Sequence, residues 1–183
     1  WPHLTHLCAL LLALIVSDGR ADGADSGALL TAGVMTKLPA FVTWPVDTTD
    51  AATPSRPFQF CAFGDNAVTA VLPGLLEEAR VRGDPPVFRQ LQDAEAALDT
   101  CDLLYLAPPV TPGWARLSER LQTTVPPPAT LVVSDTLQPT DHGVHIRLFR
   151  EGQRLRLEVD RQAAEAQGLV LGFRLLEIAR LRP

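Results

Sequence analysis

The stretch Phe-Gln-Phe-Cys-Ala-Phe-Gly-Asp at residues 58–65 decides the fold of this chain. Apolar and polar residues alternate at its start, its middle is continuously apolar, and Gly-Asp ends it before an apolar run with helical spacing. This pattern is typical of the first, largely buried strand of a parallel sheet. A second apolar stretch at residues 101–107 predicts a neighbouring strand. Together the two stretches predict the centre of an α/β sheet.

Strand and helix patterns alternate as far as residue 133. Strands are predicted at residues 58–65, 87–91, 101–107 and 130–133, and helices at residues 28–44, 67–80 and 112–121. Pro39 is expected to kink or shorten the last turn of the first helix. The alternation predicts a parallel sheet covered by helices on both faces. Period-two patterns at residues 144–149 and 155–159 then predict an antiparallel hairpin, and further helices are predicted at residues 161–167 and 173–181.

The predicted architecture is therefore a single α/β domain with a mostly parallel sheet, flanking helices and a C-terminal antiparallel hairpin. The composition agrees with one globular domain, since the 183 residues are 46% hydrophobic and 20% charged. The formal net charge is -5, and no cluster of Lys and Arg is present in the sequence. Both observations argue against a nucleic-acid-binding face.

The N-terminal segment has the composition of an export signal. Residues 7–16 form an apolar run that is too short to span a bilayer. Gly19 and Ala21 follow at the -3 and -1 positions of a signal-peptidase site. We therefore predict a signal peptide at residues 1–21, whose start is incomplete because no basic region precedes the run, and a mature domain at residues 28–183. The alternative is a buried N-terminal helix.

Export would leave Cys61 and Cys101 as the cysteines of the mature chain, because Cys8 lies within the predicted signal peptide. An even pair in an exported protein favours a disulfide bond, and the alternative is two buried free thiols. A bond that closes a loop of about 40 residues stabilises a fold by on the order of 4 kcal/mol in the chain-entropy estimate. Neither the cysteines nor the four histidines show metal-ligand spacing, so no metal or cofactor is expected.

Three polar residues at predicted strand ends mark a candidate ligand cleft. Ligands of open α/β sheets bind beyond the carboxyl ends of the strands, and there this chain carries Asp65, Ser134 and Asp135. Two carboxylates suit a metal or phosphoryl site, but such a site also needs a third acid and a lysine. The chain's one lysine, Lys37, lies on the first predicted helix. The alternative is that Asp65 and Asp135 only cap the following turns.

The sequence lacks the common motifs of enzymatic chemistry. It has no Gly-x-Gly-x-x-Gly after the first strand, no phosphate-binding loop ending in Gly-Lys-Ser/Thr and no Gly-x-Ser-x-Gly elbow. His142 and His145 stand at the entry of the predicted hairpin without a nearby nucleophile. We expect both to be solvent-exposed turn residues. By elimination, the sequence indicates a binding or regulatory protein rather than an enzyme.

The order of short motifs resembles the YfiR family of bacterial periplasmic proteins over residues 29–181. In chain order the matching pieces are Phe-Val-Thr-Trp-Pro (41–45), Phe-Cys-Ala-Phe-Gly-Asp (60–65), Cys-Asp-Leu-Leu-Tyr-Leu (101–106), Leu-Val-Val-Ser-Asp (131–135), Gly-Val-His-Ile (143–146), Arg-Leu-Glu-Val-Asp (156–160), Ala-Ala (163–164), Gly-Leu (168–169) and Leu-Leu (175–176). Each piece alone is weakly specific, whereas all of them in this order behind a signal peptide are fairly specific.

The resemblance implies a small periplasmic α/β protein, often homodimeric and without enzymatic activity. It implies that the protein binds and represses the periplasmic sensor domain of an inner-membrane diguanylate cyclase or sensor kinase, which lowers cyclic-di-GMP signalling and biofilm formation. A disulfide bond between Cys61 and Cys101 is implied as well. Some members of the family carry a second cysteine pair near residues 135–144, and this chain has none there. Any redox switch that rests on that pair is therefore missing.

Two hypotheses on function follow. In the first, an exposed apolar patch holds the membrane partner, with Phe41, Trp44 and Trp114 as candidate contact residues; the alternative for Trp44 is a place in the core. In the second, the chain is a periplasmic small-ligand-binding or accessory domain that uses the strand-end cleft near Asp65 and Ser134.

Overall fold

The computed structural model describes residues 21–45, 56–93, 100–108, 113–125, 128–135 and 143–182. Five helices and nine strands are assigned within these ranges. The helices are α1 Ala21–Lys37, α2 Ala67–Glu78, α3 Gly113–Thr123, α4 Arg161–Ala166 and α5 Phe173–Ile178. The strands are β1 Val42–Thr43, β2 Gln59–Phe63, β3 Val87–Leu91, β4 Leu103–Leu106, β5 Leu131–Ser134, β6 Ile146–Glu151, β7 Arg154–Val159, β8 Val170–Leu171 and β9 Arg180–Leu181.

The main sheet has seven strands in the order β3-β2-β4-β5-β6-β7-β9. The first five strands in this order are parallel to one another. β6 and β7 form an antiparallel hairpin, and β9 pairs in parallel with β7. A second, two-stranded sheet joins β1 to β8. The predicted α/β class, with a mostly parallel sheet and a C-terminal hairpin, is confirmed.

Alternate residues of the central strands point to opposite faces of the sheet, as strand geometry requires. One face carries Phe60, Ala62, Leu103 and Tyr105 and packs against apolar residues of α1 and α2. The other face carries Leu104, Leu106 and Val132 and packs against Leu117 of α3. Because both faces are covered, the central strands read as continuously apolar runs.

The stretch at residues 58–65 forms β2 and then the turn into α2. Asn66 caps α2, since its side-chain Oδ1 accepts hydrogen bonds from the backbone N–H groups of Val68 and Thr69, both at 3.0 Å. The Thr69 hydroxyl in turn accepts from the Asn66 N–H at 2.9 Å, which completes a capping box. Pro73 lies inside α2 without dividing it. The helix therefore starts directly after the strand.

A disulfide bond joins Cys61 in β2 to Cys101, two residues before β4, with 5.9 Å between the two Cα atoms. It belongs to the core on the α3 side of the sheet, and both cysteines are buried. Next to it, the Asp102 carboxylate accepts two hydrogen bonds from Arg56 and one from the Gln59 N–H at 2.7 Å. The amino ends of β2 and β4 are therefore held by one covalent and several polar contacts.

The two ends of the domain differ from the sequence-based predictions. α1 ends at Lys37, and the expected shortening at Pro39 takes the form of a 3₁₀ turn over Leu38–Phe41. The predicted continuation of this helix to residue 44 is wrong, because Val42 and Thr43 pair with Leu171 and Val170. The last helix likewise ends at Ile178 rather than at residue 181, because Arg180 and Leu181 pair with β7. In both places strand pairing with distant residues replaces helical hydrogen bonds.

Substitution of Gly64 by alanine is expected to destabilise the protein. Gly64 has a φ of 85°, and a Cβ atom there would lie 2.7 Å from the backbone oxygen of Ala107. We expect the free energy of unfolding to fall by about 2 kcal/mol, measured by urea denaturation. Gly74→Ala is the matched control, because Gly74 lies in α2 and a Cβ atom there would have no other atom within 4 Å. An unchanged stability for Gly64→Ala would contradict the expected clash.

Candidate functional site

A cleft of about 460 Å³ opens between α1, the start of α2 and the β6–β7 hairpin. It lies beyond the carboxyl end of β5, where ligands of α/β sheets commonly bind. Its floor is mostly apolar. The lining residues are Gly27, Ala28 and Thr31 of α1, Asn66, Ala67 and Val68 at the start of α2, Asp135 after β5, and Leu148, Phe149, Arg150 and Leu155 of the hairpin.

Asn66 and Asp135, which line the inner end of the cleft, both interact with the buried Tyr105 side chain. Asn66 Nδ2 donates to the Tyr105 hydroxyl at 2.9 Å, and the Asp135 carboxylate lies close enough to this hydroxyl to interact with it. The Oδ1 atom of Asp135 is buried and has no hydrogen-bond partner among the described residues. Because Asn66 is already fixed as the cap of α2, its hydrogen bond also orients the Tyr105 hydroxyl.

Burial determines the protonation of Asp135 and Tyr105. Burial raises the pKa of the Asp135 carboxyl above its usual value, and the hydrogen bond from Tyr105 offsets part of this rise. Burial also raises the pKa of Tyr105, and the negative charge of Asp135 raises it further. Tyr105 therefore stays a neutral donor at every physiological pH, and Asp135 takes up a proton more readily than an exposed aspartate does.

The outer end of the cleft carries Arg150. This side chain is exposed and forms no ion pair with a residue that the structure describes. Its Nη1 atom lies 2.7 Å from the point where a Cβ of residue 27 would stand, so Gly27 leaves room for the guanidinium group. The cleft thus combines an apolar floor, a buried carboxyl group and an unpaired cation. Such a set of groups is suited to binding a small molecule.

The predicted cleft residues lie in different places. Asp135 lines the cleft, whereas Asp65 is exposed and is not among the lining residues. Ser134 is buried, belongs to the α3-facing side of β5, and donates its hydroxyl to the Leu106 carbonyl at 3.3 Å. Among the described residues, no group of His, Cys, Asp and Glu is arranged to hold a metal ion. The cleft therefore lies nearer to α1 and the β6–β7 hairpin than the sequence predicted.

Sequence reasoning missed Asn66, Tyr105 and Arg150 as parts of this site. Two signals were available for the first two. Asn66 followed three residues later by Thr69, directly after a strand, resembles a helix cap. Tyr105, the chain's one tyrosine, stands in an otherwise apolar strand, where a buried hydroxyl group requires a partner. No local signal indicated Arg150, because its position depends on how the hairpin packs against α1.

The candidate partner residues Phe41 and Trp44 are half-buried. The Trp44 ring meets the Phe58 ring edge-on at 5.2 Å between centroids, and its Nε1 donates to the Asp102 carbonyl at 3.3 Å. The Arg82 guanidinium lies 5.7 Å above the Trp44 ring. Phe41 packs against the core near α5 and accepts a hydrogen bond from the Gly172 N–H. Trp114 lies in the first turn of α3.

One expectation about histidine is wrong. His145 is completely buried rather than exposed at a turn. Its backbone pairs with the Val132 carbonyl, and its Nδ1 accepts a hydrogen bond from the Val132 N–H at 2.9 Å. It thus extends the sheet ahead of β6 and lies under the C-terminal segment. His142 lies outside the described residues.

Replacing Tyr105 by phenylalanine tests its contacts with Asn66 and Asp135. The change removes the hydroxyl group that accepts from Asn66 Nδ2 and interacts with the Asp135 carboxylate, so we expect the free energy of unfolding to fall by about 1–2 kcal/mol. The pKa of Asp135 should rise further, because a hydrogen bond that favours its charged form is lost. Urea denaturation and a carboxyl titration by NMR measure the two effects. A lowered pKa of Asp135 would show that Tyr105 does not donate to it.

The chain is an α/β domain with a mostly parallel sheet and a cleft of ligand size, and the described residues contain no metal-ligand cluster. Residues 28–180 match the profile of the YfiR/HmsC-like family, and the chain belongs to this family. The family is periplasmic and regulatory rather than catalytic. Within the described ranges, no helix has the length and apolar character needed to cross a membrane.

A solved structure of a conserved domain protein from Vibrio cholerae has a similar fold. Its TM-score is 0.51 at 12% sequence identity, over 84% of this chain and 59% of that chain. At this identity the likeness shows the fold alone. The chain described here spans little more than half the length of that protein. Among proteins with curated descriptions, none is similar enough to match.

Proposed function

We propose that this protein is exported to the periplasm and represses an inner-membrane signalling protein by binding its periplasmic sensor domain. The signalling protein is a diguanylate cyclase, so the bound state lowers cyclic-di-GMP and biofilm formation. The signal peptide at residues 1–21 is part of this proposal, and so is a working domain at residues 28–183. The protein performs no chemistry of its own in this role.

The family match over residues 28–180 carries the proposal. Two further observations support it. The Cys61–Cys101 disulfide bond suits an oxidising compartment such as the periplasm. Asp135 lines the inner end of the cleft and Tyr105 is buried next to it, but the residues that line the cleft include no serine, cysteine or histidine as a nucleophile or base. A binding role therefore fits the described residues better than a catalytic one.

We propose Phe41, Trp44 and Trp114 as contact residues for the cyclase. Trp44 is the best supported of the three, because Phe58 and the Asp102 carbonyl hold its ring in one orientation while the side chain stays partly exposed. A rigid, partly exposed aromatic ring is typical of the anchor residues of protein interfaces. The Arg82 guanidinium above the ring can move aside or join the contact.

Two measurements in the native bacterium and in vitro test the proposal. Deletion of the gene is expected to raise cellular cyclic-di-GMP, and the wild-type gene should restore the lower level. The purified protein should bind the purified periplasmic domain of a host diguanylate cyclase in calorimetry. Phe41→Ser and Trp44→Ala should weaken this binding, whereas Val87→Ser, at an exposed site on edge strand β3, should not. Unchanged cyclic-di-GMP together with no binding would contradict the proposal.

The cleft supports a second candidate function, the binding of a small ligand. The observation that favours it is that the buried Oδ1 of Asp135 at one end of the cleft and Arg150 at the other have no hydrogen-bond or ion-pair partner among the described residues. A thermal-shift screen with periplasmic metabolites should identify a stabilising compound. Asp135→Asn and Arg150→Gln should reduce its effect, and Asp65→Asn is the control because Asp65 does not line the cleft. A screen without any stabilising compound, or with equal effects in all three variants, would rule out this function.

A further inference from the structure

The two charged side chains that line the cleft, Asp135 and Arg150, stand at its opposite ends. β5 and β6 are paired in parallel with Ser134 opposite Arg147, and continuation of this register places Asp135 beside Leu148. Arg150 lies two residues further along β6, which is roughly 7 Å in the strand direction. A ligand that contacts both charges must therefore be extended.

The Asp135 end of the cleft is suited to a cationic group. The Oδ1 atom of this residue is buried and accepts no hydrogen bond from a described residue. A buried carboxylate oxygen without a donor is unfavourable, and burial accordingly raises the pKa of this carboxyl group. An ammonium group of a ligand would supply both the missing donor and the opposite charge.

The Arg150 end of the cleft is suited to a carboxylate. Arg150 continues the face of β6 that carries Ile146 and Leu148, which pack on the α1 side of the sheet. Its guanidinium group reaches α1 where Gly27 has no side chain, since Nη1 lies 2.7 Å from the place that a Cβ atom would take. No described residue pairs with this cation. A guanidinium group binds a carboxylate through two parallel hydrogen bonds.

The lining of the cleft is otherwise mostly apolar. It includes Ala28 of α1, Val68 of α2 and Leu148 and Leu155 of the hairpin. Thr31 is the exception on α1: it is 7% exposed, and its hydroxyl group forms no hydrogen bond with a described residue. The lining therefore suits an apolar chain that carries at most a single polar group.

We propose that the cleft binds a linear zwitterion, with an ammonium group at Asp135, a carboxylate at Arg150 and a short chain between them. An extended chain of six bonds spans about 7 Å, so ω-amino acids such as 6-aminohexanoate, and dipeptides, have the required length. An α-amino acid does not, because both of its charged groups are attached to one carbon atom. The inference rests on the small-ligand function proposed above and is independent of the proposed repression of a cyclase.

NMR titrations of the purified protein at neutral pH test the inference. The matched pair of ligands is 6-aminohexanoate and norleucine, which are isomers that differ only in the position of the amino group. We expect 6-aminohexanoate to bind at least roughly tenfold more tightly, because it alone reaches both charges. Hexanoate and hexylamine each keep one charged end, so each should also bind roughly tenfold more weakly than 6-aminohexanoate.

Five variants assign each end of the ligand to its residue. Arg150→Gln should weaken hexanoate roughly tenfold and leave hexylamine unchanged, Asp135→Asn should do the reverse, and Asp65→Asn should change neither. Gly27→Ala should weaken hexanoate without lowering stability, because its Cβ atom displaces only the end of a flexible side chain. Gly33→Ala is its control in the same helix, since a Cβ atom there has no other atom within 4 Å.

The dipeptide alanyl-leucine distinguishes the two sources of such a ligand. If it binds more tightly than 6-aminohexanoate and Thr31→Val removes the difference, the inference holds with peptides as the source; the opposite order supports ω-amino acids. Equal binding of 6-aminohexanoate and norleucine, or binding that Asp135→Asn and Arg150→Gln leave unchanged, would overturn the inference. A screened compound that depends on both residues but is not a zwitterion would overturn it and leave the small-ligand function standing. The absence of any ligand that depends on the cleft would overturn both.

Discussion

Removal of the Cys61–Cys101 disulfide is expected to lower the free energy of unfolding by about 4 kcal/mol. The bond closes a loop of 40 residues, so its loss gives the unfolded chain much more conformational freedom. For a domain of this size, the loss should lower the melting temperature by roughly 10 °C. The fold should persist, because β2 and β4 remain paired in register from Phe60 and Leu103 onward and both core faces of the sheet stay filled.

A mutant cycle separates the covalent link from the packing of the sulfur atoms. Cys61→Ala, Cys101→Ala and the double variant all lose the same bond, so under reducing conditions their stabilities should nearly coincide. Additive losses would mean that packing, rather than the cross-link, stabilises this part of the core. Non-reducing mass spectrometry of protein isolated from the periplasm supplies the second check. Two free thiols in that protein would show that the bond does not form in the cell.

Acidification from pH 6.5 to pH 4 is expected to cost about 3 kcal/mol of stability through His145 alone. Burial lowers the pKa of this imidazole to about 4, an effect that Asp160 weakens and Arg182 strengthens. Above pH 6.5 the side chain is neutral in both states and contributes no pH dependence. As the pH falls toward 4, the unfolded chain binds a proton that the folded protein does not, so stability decreases. Below the folded-state pKa both states are protonated and the loss stays constant.

His145→Gln isolates this contribution from that of the carboxyl groups, which also titrate below pH 5. The variant loses the hydrogen bond from the Val132 N–H to Nδ1 and should be less stable at pH 7. Its stability should nevertheless fall less steeply than that of the parent between pH 6.5 and pH 4. Urea denaturation at half-unit pH steps measures both slopes. Equal slopes in the two proteins would mean that His145 binds its proton in the folded state near the usual pH.

The apolar runs in the sequence were sufficient to predict the α/β class of the fold. Residues 58–65 and 101–107 predicted the neighbouring strands β2 and β4, and the change to period two after residue 143 predicted the β6–β7 hairpin. These signals are local, because a buried strand must be apolar on both faces and a half-solvated one on a single face. The predicted cysteine pair depended on composition and compartment rather than on geometry, and the structure contains that bond.

The sequence predicted the candidate site only in part. A strand-end position singled out Asp135, but Asp65 and Ser134, chosen by the same rule, lie outside the cleft. The strand-end rule predicts at which edge of the sheet a ligand binds, but it does not predict the direction in which each side chain points. His145 was misjudged for a related reason: its neighbours in sequence suggest a turn, whereas its burial results from pairing with Val132.

The opening stretch, Phe58 to Asp65, was determined by its own sequence: alternation and apolar continuity made it a central strand, and Cys61 marked its link to the next. Tertiary structure alone decided what surrounds it. The pairing of β1 with β8, the addition of β9 to the sheet edge, and the contact of Arg150 with α1 at Gly27 all join residues far apart in the chain. A two-residue strand or a single side-chain contact is too short to show a periodic pattern in the sequence. Such contacts stabilise the protein only after the main sheet has brought their residues together, so the sequence alone does not predict them.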